Sequence, residues 1–268
     1  MKSISKIPLI LTGLTALCGS WVNAAEVNLY TTREPALIQP LLKEFTQKTG
    51  VKVNTVFIKD GLLERVKVEG RRSPADVMLT VDFGNLVDLV SNGLTQRVDS
   101  KVLNSSIPAN LRAANGHWYA LSMRARAVYV SKDRAPLTAI SYEDLAHPKW
   151  NGKICIRSGN HPYNTGLIAA YIAHYGEKEA EKWLRGIKAN LARPASGGDR
   201  DVARDILGKI CDIGVANTYY VGNMREGDPE QQRWGNAINV VLPKFKNSGT
   251  HVNVSGAVVS KYAPNRKE

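Results

Sequence analysis

The sequence predicts an α/β protein of two units, and three observations carry that prediction. Strand-like and helix-like segments alternate from residue 26 at the spacing of βαβ units. The strand-like segments are short and largely apolar, the pattern of a parallel sheet covered on both faces. An extended run at Arg126–Val130 then leads out of the first series, and a second series follows it.

In order, "EVNLYTT" reads as a strand, and "PALIQPLLKEFTQKTG" as an amphipathic helix. In that helix Leu37, Leu41, Leu42 and Phe45 recur at helical spacing, and Gly50 sits where a C-cap belongs. "VKVNTVFI" alternates like a strand, "GLLERVKVEG" is a short helix, "ADVMLTV" a strand and "GNLVDLVSNGL" a helix. Past the crossing, "SYEDLAHPKWNGKICIRSG" gives a short helix, a turn and a strand. "NTGLIAAYIAHYG" and "EKEAEKWLRGIKANL" are two helices, and "GGDRDVARDILG" is a third with Asp199 as N-cap. "KICDIGVAN", "AINVVLP" and "GTHVNVSGAVVSK" are strands, with a return crossing expected near residue 250. A strand such as "SGAVVS" is normally followed by a covering helix, so a C-terminal part is expected to be missing after "KYAPNRKE".

The first residues differ from the rest. Lys2 and Lys6 precede the apolar run "IPLILTGLTALCGSWV", and Val22 and Ala24 occupy the small-residue positions of a cleavage site. Residues 1–24 therefore read as a secretory signal. The run is too short and too interrupted for a membrane anchor, and Leu17 before Cys18 argues against a lipoprotein. Export leaves Cys155 and Cys211, which in an oxidising compartment pair, or else stay as inert buried thiols. Pairing would close a loop worth about 4 kcal/mol in the chain-entropy model. The formal charge is +12, but its residues are scattered. No zinc-finger spacing, RNA-binding aromatic signature or basic tail accompanies it, so nucleic acid is not an expected partner.

No catalytic motif stands out. There is no Gly-x-Ser-x-Gly elbow, Walker loop, dinucleotide fingerprint or His-Glu-x-x-His. His117, His147, His161, His174 and His251 are dispersed and read as ordinary surface or core residues. The tyrosines say more. Tyr219 and Tyr220 follow the strand "CDIGVAN", and Tyr163 follows "CIRSGNHP". Ligands of α/β sheets bind beyond the carboxyl ends of strands. Adjacent side chains on a strand point to opposite faces, so two phenols can share a site only if a turn or helix starts at "NTYY". Tyr129, Tyr142, Tyr171 and Tyr175 read as packing, and a tyrosine pair alone is also mostly packing.

The segments "EVNLYTTREPALIQPLLKEFTQKTGVKVNTVFI", "GRRSPADVMLTVDFGNL", "LSMRARAVYVSK", "YEDLAHPKWNGKICIRSGNHPYN", "EKWLRGIKANLARPASGGDRD", "CDIGVANTYYVG" and "THVNVSGAVV" together resemble the periplasmic ferric-iron-binding proteins of ABC transporters. The resemblance implies a two-lobe periplasmic binding protein fold of class II type with an interlobe ligand cleft. The lobes would be residues 25–125 with 248–268, and residues 126–247. It implies capture of Fe3+ in the periplasm and delivery to an inner-membrane ABC permease by a monomer. The family's metal-binding tyrosines fall on Tyr163, Tyr219 and Tyr220. Its first-lobe histidine and tyrosine fall on Glu34 and Pro35, and its glutamate falls near Val81, beside Asp82. Glu34 is thus a possible metal ligand, opposed by its neighbour Arg33.

Chemistry supports a phenolate site independently. Fe3+ is a hard acid that favours anionic oxygen, and a bound cation strips protons from phenols of ordinary pKa about 10. Three phenolates balance three charges, and a synergistic anion, carbonate, would complete the sphere. Arg33 and Arg124 are candidates to hold it through bidentate guanidinium contacts, with Arg126 competing for the role. The backbone of Ser158 to Asn160 would add a helix-N-terminus nest. Alternative functions are a binding protein for a small anion, or a secreted enzyme on the same fold. The enzyme reading lacks a nucleophile–base pair.

Overall fold

The computed structural model describes residues 25–268; the leader-like residues 1–24 lie outside them. The chain runs β1 (Glu26–Thr31), α1 (Pro35–Thr49), β2 (Lys52–Phe57), α2 (Leu62–Glu69), β3 (Val77–Thr80) and α3 (Phe83–Ser91). β1 pairs in parallel with both β2 and β3, the expected βαβ arrangement. Pro35 opens α1 where its missing N–H costs nothing. Gly50 ends that helix at φ 75°, donating its N–H to Thr46 O.

The helix is turned one row from the expected face. Leu37, Leu41 and Phe45 are 63%, 61% and 40% exposed, whereas Ile38 is buried and packs with Leu42 against Leu29 and Leu79. Two adjacent apolar rows run along this helix, and periodicity alone does not choose which one meets the sheet.

Two short elements, β4 (Thr95–Gln96) and α4 (Lys101–Ser106), precede the long β5 (Tyr119–Ser131). The crossing strand is longer than Arg126–Val130, and its partners change along its length. Tyr119 to Ala125 pair with β9 (Val252–Ser260), and Arg126 onward pair with β7 (Ile213–Asn217) and β8 (Ile238–Val241). β9 returns antiparallel between β3 and β5. The sheet is therefore mixed where the sequence suggests a parallel one. A strand that carries the chain back between lobes must run against its neighbours.

The second unit adds β6 (Ile154–Ile156), α5 (Pro162–Asn190), α6 (Asp199–Leu207), α7 (Tyr219–Arg225) and α8 (Pro229–Asn236). The segment before β6 forms 3-10 turns at Glu143–Ala146 and Pro148–Trp150 in place of the expected short helix. Gly176 leaves helical backbone at φ 79°, ψ 166° and divides α5 into the two expected helices. Asp199 is not the N-cap of α6. Gly198 holds that position, and its N–H is satisfied by Asp201 Oδ2 at 2.7 Å. One cluster of apolar side chains, with Trp183, Leu145 and Val130, lies on one face of the second sheet. Another, with Val202, Ile206 and Met224, lies on the other.

Cys155 and Cys211 are disulfide-bonded, with Cα atoms 5.8 Å apart. The bond ties β6 to the residue pair preceding β7 and not to β7 itself. α6 presses on β7 at Gly214, where an added Cβ would strike Val202 Cγ1 and lie 2.6 Å from Cys155 O. Gly214→Ala must push α6 or β6 outward. Overpacking of this kind costs about 1–3 kcal/mol, so the variant should melt several degrees below the parent; an unchanged melting temperature would show that the contact yields freely.

Candidate metal centre

β7 ends at Asn217, Thr218 takes helical backbone at φ −56°, ψ −42°, and α7 begins at Tyr219. The chain thus leaves strand geometry between Asn217 and Tyr219. That change lets consecutive phenols share one side: the Tyr219 and Tyr220 rings are 4.2 Å apart and tilted by 32°. Tyr163 stands in the first turn of α5, after β6, the strand paired in parallel with β7. Its hydroxyl lies 3.2 Å from that of Tyr219. The phenols of two strand-end turns therefore converge.

Burial, with hydrogen bonds to Tyr163 and Tyr220, pushes the Tyr219 phenol well above its ordinary value. Burial raises Tyr220 as well. Tyr219 and Tyr220 therefore favour their neutral forms without a cation. Guanidinium groups lie over the rings. Arg124 and Arg157 are 5.3 and 5.1 Å from the centre of Tyr163, and Arg200 is 5.2 Å from the centre of Tyr220. Each is placed to favour negative charge on the phenol beneath it.

Arg33 and Arg124 come together on Ser255, whose Oγ accepts from Arg33 Nη2 and, at 3.4 Å, from Arg124 Nη1. Arg124 Nη2 is buried without a hydrogen-bond partner and lies 3.6 Å from Asp82 Oδ2. Asp82 is otherwise engaged, accepting from Gly84 N at 2.9 Å and Asn253 Nδ2 at 2.7 Å. Glu34 is exposed, caps nothing with its side chain and is not neutralised by Arg33, which turns to Ser255 instead. Ser158 and Asn160 sit on an exposed turn before α5. Beyond that turn, at the helix start, Tyr163 N donates to His161 Nδ1 and Asn164 N to His161 O. Pro162 has no N–H to offer.

Sequence reasoning missed His161, Arg157 and the pair Arg126–Asp199. The His161 ring is 4.4 Å from the Tyr163 ring, edge to face, and burial together with Arg157 lowers its pKa to about 4. The order His-Pro-Tyr was the available signal, since a histidine before a helix-opening proline is a capping position. Arg126 stands where β5 changes partners from β9 to β7. It is 2% exposed and ion-paired to Asp199 at 2.7 Å beneath the tyrosines. A cleft of about 320 Å3 opens beside Tyr163 and His161, faced by Thr32, Asp60, Glu64 and Asp82 of the first lobe. A larger apolar cavity of about 690 Å3, between Ile156, Leu167, Trp183 and Ile187, has no converging phenols or carboxylates. Among the described residues no cluster of three His, Cys, Asp or Glu could hold a metal.

Fold and site together define a two-lobe α/β binding protein with phenols at its cleft. The chain belongs to the family of bacterial extracellular solute-binding proteins, whose model matches residues 72–268. It is 40% identical to iron uptake protein A1 of Synechocystis over 245 residues, covering 90% of this chain and 68% of that protein. Among solved structures it resembles a Bordetella ferric binding protein at 64% identity and TM-score 0.85, over 90% of this chain and 77% of that one. It also resembles a Trichodesmium protein solved with iron and citrate ligands, at 42% identity and TM-score 0.84, over 91% and 78%. As a member of a solute-binding family, the chain is a binding protein and not an enzyme.

A hard cation bound by these phenols must displace their protons. Because the pKa values of Tyr219 and Tyr220 are raised, acid favours the empty protonated site, and affinity should climb as pH rises. Calorimetric titration in buffers of different ionisation enthalpy should count more than one proton released per cation. Binding without proton release would exclude the phenols as ligands.

Proposed function

We propose that the protein captures ferric iron in the periplasm, in its interlobe cleft, and delivers it to an ABC permease in the inner membrane. The metal ligands are Tyr163, Tyr219 and Tyr220. The observation that carries this reading is the 3.2 Å approach of the Tyr163 and Tyr219 hydroxyls, from turns far apart in sequence. Packing alone does not require phenol oxygens to meet, whereas a trivalent cation that favours anionic oxygen does. The names of the relatives point the same way.

The rest of the coordination sphere is an anion, carbonate, held by Arg124 and Arg33. Support comes from Arg124 Nη2, which has an ion-pair contact to Asp82 but no hydrogen-bond partner, and from the convergence of both guanidinium groups on Ser255 beside Tyr163. Glu34 is exposed and is the competing first-lobe ligand. We take the lobes as residues 25–125 with 248–268, and residues 126–247, a division supported by the change of partners of β5 at Arg126. Residues 1–24 act as the export signal, and the protein works as a monomer.

Purified protein loaded with Fe3+ should show a visible phenolate-to-iron charge-transfer band. Tyr220→Phe keeps the ring and removes one oxygen, so it should shift or bleach the band and weaken iron; unchanged ferric binding would refute the assignment.

Ferric affinity should also fall when bicarbonate, citrate and phosphate are removed, and returning each separately identifies the anion. A charge-assisted contact is worth about 1.5–3 kcal/mol, so Arg124→Ala should weaken iron roughly ten- to a hundredfold and abolish the anion dependence. If iron binds equally well in anion-free buffer while Glu34→Gln destroys binding, Glu34 is the ligand and the anion model fails.

A further inference from the structure

The convergence of the phenols needs an explanation that the sheet does not supply. The ladder between β6 and β7 ends at the pair Ile156–Val215. Beyond it, Tyr163 and the Tyr219–Tyr220 pair stand on separate turns. Among the described residues no backbone hydrogen bond joins the turn 157–164 to the turn 217–220.

One buried ion pair spans the gap. Asp199 Oδ2 accepts from the backbone N–H of Asn217 and from Arg126 Nη1, each at 2.7 Å. Arg126 Nη1 also donates to Asn217 Oδ1 at 3.3 Å. Through its other nitrogen, Nη2, Arg126 donates to Asn164 Oδ1 at 2.6 Å, on the residue after Tyr163. Asn164 then closes its own turn, its Nδ2 donating to Arg157 O and Ser158 O at 3.0 Å. Asp199 Oδ1 takes Arg157 Nη1 at 3.3 Å.

The backbone of the same arginine sits at the lobe crossing. Its N–H donates to His251 O at 3.1 Å, on the returning segment. Its carbonyl accepts from Tyr142 Oη at 2.6 Å, and that hydroxyl accepts from His251 N at 3.1 Å. Thr218 N donates to Ala125 O at 3.2 Å, which ties the tyrosine turn to the residue before the crossing.

We propose that Arg126, held by Asp199, is the positioning residue of the site. Its guanidinium fork fixes the two tyrosine-bearing turns against each other, and its backbone fixes both to the point where the chain passes between lobes. This rests on the reading of the three phenols as iron ligands. A buried ion pair is weak evidence of a stabilising role, because desolvation offsets much of its attraction. Here the pair faces the backbone and amide groups that carry the phenols, which is the arrangement by which outer-shell partners orient metal ligands.

The test uses the full chain loaded with Fe3+. Arg126→Lys keeps the charge beside Asp199 and loses the fork to Asn164. Asn164→Ala leaves the ion pair whole and cuts its link to the Tyr163 turn, together with the two bonds by which Asn164 closes that turn. Both should weaken iron roughly ten- to a hundredfold, the usual effect of losing an outer-shell partner. Both should move the charge-transfer band toward that of Tyr163→Phe, while Tyr219 and Tyr220 still bind. A purely structural role would lower the melting temperature and leave band and affinity unchanged in the folded protein, and that result overturns the proposal. If Arg126→Lys does not fold, Asn164→Ala decides alone. Absence of any band in the parent protein would instead reject the iron reading itself.

Discussion

Arg126 and Asp199 sit where two requirements of this structure meet. Both are nearly inaccessible, at 2% and 1% exposure, and each would be costly to bury alone. Removing one member of such a pair typically costs about 3–5 kcal/mol, because the other is left as an uncompensated charge. The cost is accepted at the one place where two strand ends, a helix start and two interlobe crossings come together. Burial and the neighbouring Arg157 disfavour the charged form of Arg126, and Asp199 restores it. Asp199 is placed by the tight packing of α6 on Gly214, which brings the helix start to the end of β7.

Near that pair the hydroxyls of Tyr163 and Tyr219 meet and the rings of Tyr219 and Tyr220 adjoin. Burial raises Tyr219 and Tyr220 and favours their neutral forms. The arginines around them cannot lose their protons. On the reading proposed above, a ferric ion would take the phenol oxygens and an anion the guanidinium groups of Arg124 and Arg33.

The second lobe is the more heavily braced of the two. It carries the disulfide, the buried ion pair and the three phenols. The first lobe presents Asp60, Glu64 and Asp82 to the cleft, while Arg33 reaches Ser255 from it.

Much of this was legible in local pattern. Alternation of strand and helix, the glycine after α1, the break at Gly176 and the pairing of Cys155 with Cys211 follow from short-range rules of spacing, chirality and compartment. Tyr163, Tyr219 and Tyr220 could be singled out because strand ends are where α/β sheets bind ligands. Other features depended on contacts between residues far apart in the chain. Periodicity offered two apolar rows on α1, and only the sheet beneath selected Ile38 and Leu42. Arg124 and Arg126 lie two apart on one strand and are chemically alike. Their surroundings diverge because β5 changes partners between them, placing Arg124 on Ser255 beside Tyr163 and burying Arg126 against Asp199. Asp199 had the composition of a cap, yet its partners come from β5 and from the end of β7. The residue types of the site were therefore set by sequence. Which charge is buried, which faces the ligand and how the phenols meet were decided by tertiary structure, because electrostatic role follows burial and partner, and neither is encoded locally.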